Sequence, residues 1–268
     1  MSALLTNNVV VAGEGARTVV FAHGFGCDQG MWAPVAGRLA TRATTVLFDH
    51  IGAGAADSRA YDPVRHATLH GYAEDLVGVI EALQRGPVTV VGHSVSATIA
   101  VLAARARPEL FERLVLVCAS PRYTNAPDFH GGLDEADVRD LLDLMEKNMA
   151  DFSAILAPQV AGPGADLVQA DWQASVCRAD PAIARTFAQT TFLSDHRDDY
   201  AATTTPTVII DSAEDLLAPP MVGEWMAAHV PGSRRVVLPT TGHSPHMTAP
   251  DLVAEVIAGL FPALNQAA

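Results

Sequence analysis

The order of apolar runs in this 268-residue chain predicts an α/β fold: a mostly parallel, twisted sheet flanked by helices, with one helical insertion. Three observations predict it. Short runs rich in β-branched residues recur, helical patterns separate most of them, and the runs are continuously apolar, as strands covered on both faces are. The strand-like runs fall at 9–11, 18–21, 44–48, 88–91, 114–117, 207–210 and 235–238. Helices are expected at 32–40, 69–84, 95–106, 219–228 and 250–260. The alternation fails once, between Ser120 and Asp199. Helical patterns there cover 134–149, 151–157, 165–178 and 181–193, punctuated by Pro158, Gly162-Pro163-Gly164 and Asp180-Pro181. Residues 1–120 and 200–268 therefore read as the α/β core, and 121–199 as a helical cap inserted after the strand at 114–117.

Composition narrows the function classes. With 49% hydrophobic residues the chain can bury a sizeable core. A formal charge of −13 argues against a nucleic-acid or anionic-membrane surface. Cys27, Cys118 and Cys177 are odd in number, far apart and without a C-x-x-C pair, which suits reduced thiols in a cytoplasm better than disulfides or a zinc site. No basic segment precedes an apolar core at the N-terminus, and no apolar run approaches membrane-spanning length, so no membrane association is expected.

The run at 88–91 passes directly into the helical pattern at 95–106 through Gly92-His93-Ser94-Val95-Ser96. A strand that bends straight into a helix lifts the serine hydroxyl above the sheet edge. It also aims the helix's free N–H groups at whatever that hydroxyl attacks. Gly-x-Ser-x-Gly is the nucleophile elbow of α/β-hydrolases, and the match lacks only the last Gly, which is Ser96 here. A small residue at that position is expected to be tolerated.

A serine hydroxyl needs an imidazole to take its proton, and the imidazole needs a carboxylate to hold it. Groups just beyond late strands of such a sheet converge on one crevice. The strand at 207–210 runs into Asp211-Ser212-Ala213-Glu214-Asp215, and that at 235–238 into Gly242-His243-Ser244-Pro245-His246. Asp215 is the expected acid, with Glu214 as the alternative. His243, freed by Gly242 to reach the elbow, is the expected base, and His246 is assigned to the loop or the next helix. The backbone N–H groups of Val95 and of Phe25, in His23-Gly24-Phe25-Gly26, are the expected oxyanion donors. No metal or organic cofactor is expected.

The chain also resembles the RsbQ subgroup of α/β-hydrolases, relatives of the plant strigolactone and karrikin receptors. The resemblance is carried by His23-Gly24-Phe25-Gly26-Cys27-Asp28-Gln29, Phe48-Asp49, Arg59-Ala60-Tyr61-Asp62, Gly71-Tyr72-Ala73, Gly92-His93-Ser94-Val95, Ser120-Pro121-Arg122-Tyr123, Met145-Glu146-Lys147-Asn148, Phe192-Leu193-Ser194-Asp195 and Gly242-His243-Ser244-Pro245-His246. It implies an α/β-hydrolase fold with a four-helix, V-shaped cap over a closed apolar pocket, and the same triad of Ser94, Asp215 and His243. Carried over position by position, the pocket walls are Phe25, His93, Val95, Tyr123, Leu133, Phe152, Leu156, Phe192 and Leu217. The implied activity is cleavage of a small hydrophobic ester or lactone. The implied alternative is a stress-signalling regulator or small-ligand receptor, with slow hydrolysis and a protein partner.

Overall fold

The computed structural model describes residues 2–261. Among these residues, seven strands form one sheet: β1 Val10–Ala12, β2 Thr18–Ala22, β3 Thr44–Phe48, β4 Val88–His93, β5 Phe111–Val117, β6 Thr207–Glu214 and β7 Arg234–Thr241. Their order across the sheet is β1-β3-β2-β4-β5-β6-β7. Strand β1, at the edge, runs antiparallel to its neighbour, and the others run parallel to theirs. The strands at the centre are buried on both faces: every residue of β2 and of β4 is buried, as their unbroken Val-rich runs require. The helices of the described residues are, in chain order, α1 Ala3–Thr6, α2 Ala33–Leu39, α3 Leu69–Leu83, α4 Val95–Ala106, α5 Glu135–Lys147, α6 Met149–Ala161, α7 Asp166–Arg178, α8 Pro181–Phe192, α9 Arg197–Ala201, α10 Pro220–His229, α11 Pro245–Thr248 and α12 Pro250–Ala258. Helix α2 packs with α12, α3 with α4, and α9 bridges α4 and α10. None of the described helices is long and apolar enough to cross a membrane.

Helix α4 is the central helix. Its small and aliphatic residues from Val95 to Ala104 are all buried, which its Ala-rich sequence permits without crowding. It lies close against β4: a Cβ on Gly92 would sit 2.4 Å from the Ser96 carbonyl oxygen, so only glycine fits at that bend. Between β5 and β6 the chain forms four longer consecutive helices, α5 to α8, followed by the short α9. Strands β5, β6 and β7 run longer than expected, and within this helical stretch the largest difference is at α6. The helix expected at 151–157 runs from Met149 to Ala161, because Asn148 caps its start by accepting from the Ala150 and Asp151 amides. Pro158 does not end it: the proline sits in the last turn, where its carbonyl accepts from the Gly162 amide at 2.9 Å.

Candidate active site

Strands β4, β6 and β7, with β5 lying between the first two, deliver the polar groups to one end of the sheet. The end of β4 turns sharply at Ser94, which has φ 55° and ψ −123°. A non-glycine residue in that region stores about 1–3 kcal/mol of strain. The surroundings enforce it, since the Ser94 amide is bonded to the Val117 carbonyl at 2.9 Å and the Ser94 carbonyl receives the Ala97 amide at 2.9 Å. The loop after β6 presents Asp215, and the loop after β7 presents His243.

These side chains form one continuous relay. His243 Nδ1 lies 2.7 Å from Asp215 Oδ2, and His243 Nε2 lies 2.8 Å from Ser94 Oγ. Asp215 is held from its other oxygen, which accepts from the Leu217 and Ala218 amides at 2.8 and 3.1 Å. A carboxylate can only accept, so the proton of His243 sits on Nδ1 and leaves Nε2 free to take the serine proton. All three residues are buried. The neighbouring acids are engaged elsewhere: Asp211 pairs with Arg235 at 2.6 Å, and Glu214 is exposed and accepts from the Thr241 hydroxyl at 3.0 Å. His246 opens α11 and packs between Trp32 and His93, each with ring centres 4.3 Å away.

Tyr123 has a closer role than the pocket wall expected of it. Its hydroxyl lies 2.9 Å from Ser94 Oγ. The Ser94 proton points at His243, so the tyrosine is the donor, and burial pushes its phenol up, keeping that proton in place. His93 is likewise more than a wall. Its Nε2 donates to the His243 carbonyl at 2.8 Å and so anchors the loop that carries His243. Burial holds the His93 imidazole far below its ordinary pKa, hence neutral.

A cavity of about 20 Å³ adjoins Ser94, walled by Phe25, His93, Leu156, Phe192, Leu217 and His243, together with Val160 and Trp172. A second of the same size, about 20 Å³, is walled by Leu133, Phe152, Leu156, Phe192 and Leu217, among others. Val95 lines neither; its amide is the first of α4 and has no intrahelical acceptor. Val160 and Trp172 escaped the sequence reading. The signal available was the four-residue spacing of Trp172 and Val176, both buried, on α7. The Trp172 indole donates to the Phe25 carbonyl at 3.3 Å, tying α7 to the loop after β2. A larger groove of about 510 Å³ lies beyond Phe25, lined by Ile51, Ile183, Phe187 and Arg178 among others, and contains none of Ser94, Asp215 and His243.

Among the described residues, the group of side chains close enough to share a metal ion is Cys118, Asp215 and His243, whose ligand atoms lie within 4.8 Å of one another. Asp215 and His243 are already committed to the relay. Burial and the charges of Asp215 and Asp211 push the Cys118 thiol well up, so it stays protonated and is a poor ligand.

A model of the alpha/beta hydrolase family matches residues 19–256. A probable esterase of Oryza sativa subsp. japonica is 39% identical over 254 residues, covering 94% of each chain. A strigolactone esterase of Arabidopsis thaliana is 33% identical over 256 residues, covering 95% of this chain and 96% of that one. Among solved structures, a hydrolase from Oleispira antarctica superposes with a TM-score of 0.94 at 36% identity, covering 96% of this chain and 95% of that one.

Proposed function

The chain belongs to the alpha/beta hydrolase family, and from that membership we propose that it is a serine hydrolase cleaving a small, apolar ester or lactone through an acyl-enzyme on Ser94. The observation that carries the proposal is the unbroken line of hydrogen bonds from Asp215 through His243 to Ser94. His243 Nε2 takes the Ser94 proton while Asp215 steadies the imidazolium, and Oγ attacks the carbonyl carbon. The Val95 and Phe25 amides receive the oxyanion. His243 then returns the proton to the departing alkoxide, which for a lactone stays tethered to the acyl group. Water activated by the same imidazole releases the acid. The apolar walls and the small cavity favour a compact, uncharged substrate. With Cys27, Cys118 and Cys177 all free, a reducing cytoplasm is the compartment that fits.

The test is the hydrolysis of p-nitrophenyl acetate. Ser94→Ala is expected to remove all but a background rate, and a variant that keeps most of the wild-type rate would sink the proposal.

A second reading has its own support: some relatives are named for reception. The karrikin insensitive 2 receptor CA of Petunia hybrida is 39% identical over 253 residues. On this reading the chain binds a small ligand, hydrolyses it slowly and presents an altered cap to a protein partner. Pre-steady-state kinetics separate the two: a metabolic hydrolase turns over many times per site, a receptor stalls after about one equivalent of product.

A further inference from the structure

The loop that offers the Phe25 amide is held by a chain of hydrogen bonds whose middle member is Ser96, the residue standing where the elbow pattern has its last Gly. Ser96 is fully buried. Its Oγ lies 2.5 Å from the His23 carbonyl oxygen and 2.6 Å from His50 Nε2. A hydroxyl has one proton and a carbonyl only accepts, so that proton goes to His23, and the Oγ lone pair accepts from His50 Nε2–H. The His50 main-chain N–H donates to His23 Nε2 at 3.1 Å. The His23 proton therefore sits on Nδ1, where it donates to the Gly24 carbonyl at 2.9 Å. Each proton in the chain has a single acceptor to go to. Burial lowers the pKa of both imidazoles, so the neutral forms required here persist at pH 7.

The Gly24 carbonyl and the Phe25 N–H belong to one planar peptide unit, so fixing the oxygen fixes the direction of the N–H. The Cys27 amide holds the same oxygen, at 3.3 Å. The other oxyanion donor, Val95 N–H, immediately precedes Ser96 in the first turn of α4. The Ser96 hydroxyl thus ties the helix carrying one donor to the loop carrying the other.

Resting on the reading of Ser94 as the nucleophile, we propose that Ser96, steadied by His50, is a positioning residue that sets the spacing of the two oxyanion donors. A transition state places charge on the carbonyl oxygen that the ground state lacks, so a small error in that spacing lowers kcat and leaves KM nearly unchanged. A residue that only filled space would affect the melting temperature instead.

The test measures kcat and KM for p-nitrophenyl acetate on the full chain carrying Ser96→Gly, Ser96→Ala, His50→Phe or the Ser96→Ala/His50→Phe pair. Ser94→Ala serves as reference, and thermal melts follow every variant. Ser96→Gly installs the residue the elbow pattern carries, which favours a folded protein. In Ser96→Gly and Ser96→Ala, kcat is expected to fall about tenfold, short of the ~10²–10³ lost with an oxyanion donor itself. KM should stay within about twofold, with the midpoint of the pH profile of kcat/KM unmoved, and the paired variant should be no slower than the slower single one. Unchanged kcat in both Ser96 variants, beside an inactive Ser94→Ala, would overturn this role and leave the nucleophile standing. Losses that multiply in the paired variant would overturn the coupling to His50. An active Ser94→Ala would remove the underlying reading itself.

Discussion

Asp215 shows how much of the site depends on the placement of one proton. Its Oδ2 faces His243 Nδ1 at 2.7 Å while Oδ1 is occupied by two loop amides. In Asp215→Asn the amide oxygen keeps those loop bonds and the NH₂ turns to His243. That reverses the imidazole, places its proton on Nε2 and leaves no imidazole lone pair to take the Ser94 proton. The expected loss in kcat is about 10³–10⁴ with the melting temperature little changed, read from ester hydrolysis and a thermal melt. At this scale the sequence was informative where chemistry imposes an order on the chain. Ser94, Asp215 and His243 each follow a strand end, and Glu214 is set apart by its exposure. The Tyr123 hydroxyl, the Trp172 wall and the bonds made by Ser96 were not legible. Each joins residues from separate elements, and no local spacing encodes such a meeting.

At the level of elements, His243 is supported by the end of α6. The His243 amide donates to the Gln159 carbonyl at 3.1 Å, so the end of α6 bears directly on the loop after β7. The approach is too close for a side chain. A Cβ on Gly242, which has φ +100°, would lie 2.6 Å from the Gly162 nitrogen and 2.7 Å from the Ala161 carbonyl carbon. Gly242→Ala is expected to destabilise the fold by about 1–3 kcal/mol and to lower kcat through displacement of His243, read by denaturant unfolding and hydrolysis together. Runs of Val, and of Ala with aliphatic residues, made β2, β4 and α4 legible, because burial on all sides leaves few alternatives. The true length of α6 was not. A proline in the sequence reads as a stop, and only the fold shows that its position in the last turn removes little.

Over the whole molecule, the small cavities and the buried histidines set two expectations. The cavity of about 20 Å³ beside Ser94, and the one of the same size that shares its Leu156, Phe192 and Leu217 wall, are far below the ~300 Å³ or more of an ordinary ligand pocket. Across p-nitrophenyl esters, kcat/KM should therefore fall by more than about tenfold between acetyl and octanoyl chains, and Leu156→Ala should narrow the gap by opening the shared wall. A flat chain-length profile would contradict the closed pocket. The second expectation is acid lability. Burial pushes His246 down to about 3 and His196 down to about 4, and it holds His50 and His93 well below the ordinary value of 6.5. These groups bind protons in the unfolded chain before they do in the folded one. Their contribution is thus present above pH 6.5 and lost as pH falls toward the folded values, at up to about 1.4 kcal/mol per pH unit for each group. Urea midpoints should drop between pH 7 and pH 5. His246→Phe should reduce that dependence, since neither ring nitrogen of His246 has a partner among the described residues and the ring is flanked by Trp32 and His93.

The claim on which the rest depends is that the Ser94 hydroxyl, activated by His243, is the nucleophile. The most direct measurement is the intact mass of the protein after reaction with a fluorophosphonate, followed by mapping of the modified peptide. One phosphonyl group per chain on Ser94, absent from Ser94→Ala and formed far more slowly in His243→Ala, is the expected result. Labelling of Ser94→Ala at the wild-type rate, or an adduct on a different residue, would contradict it.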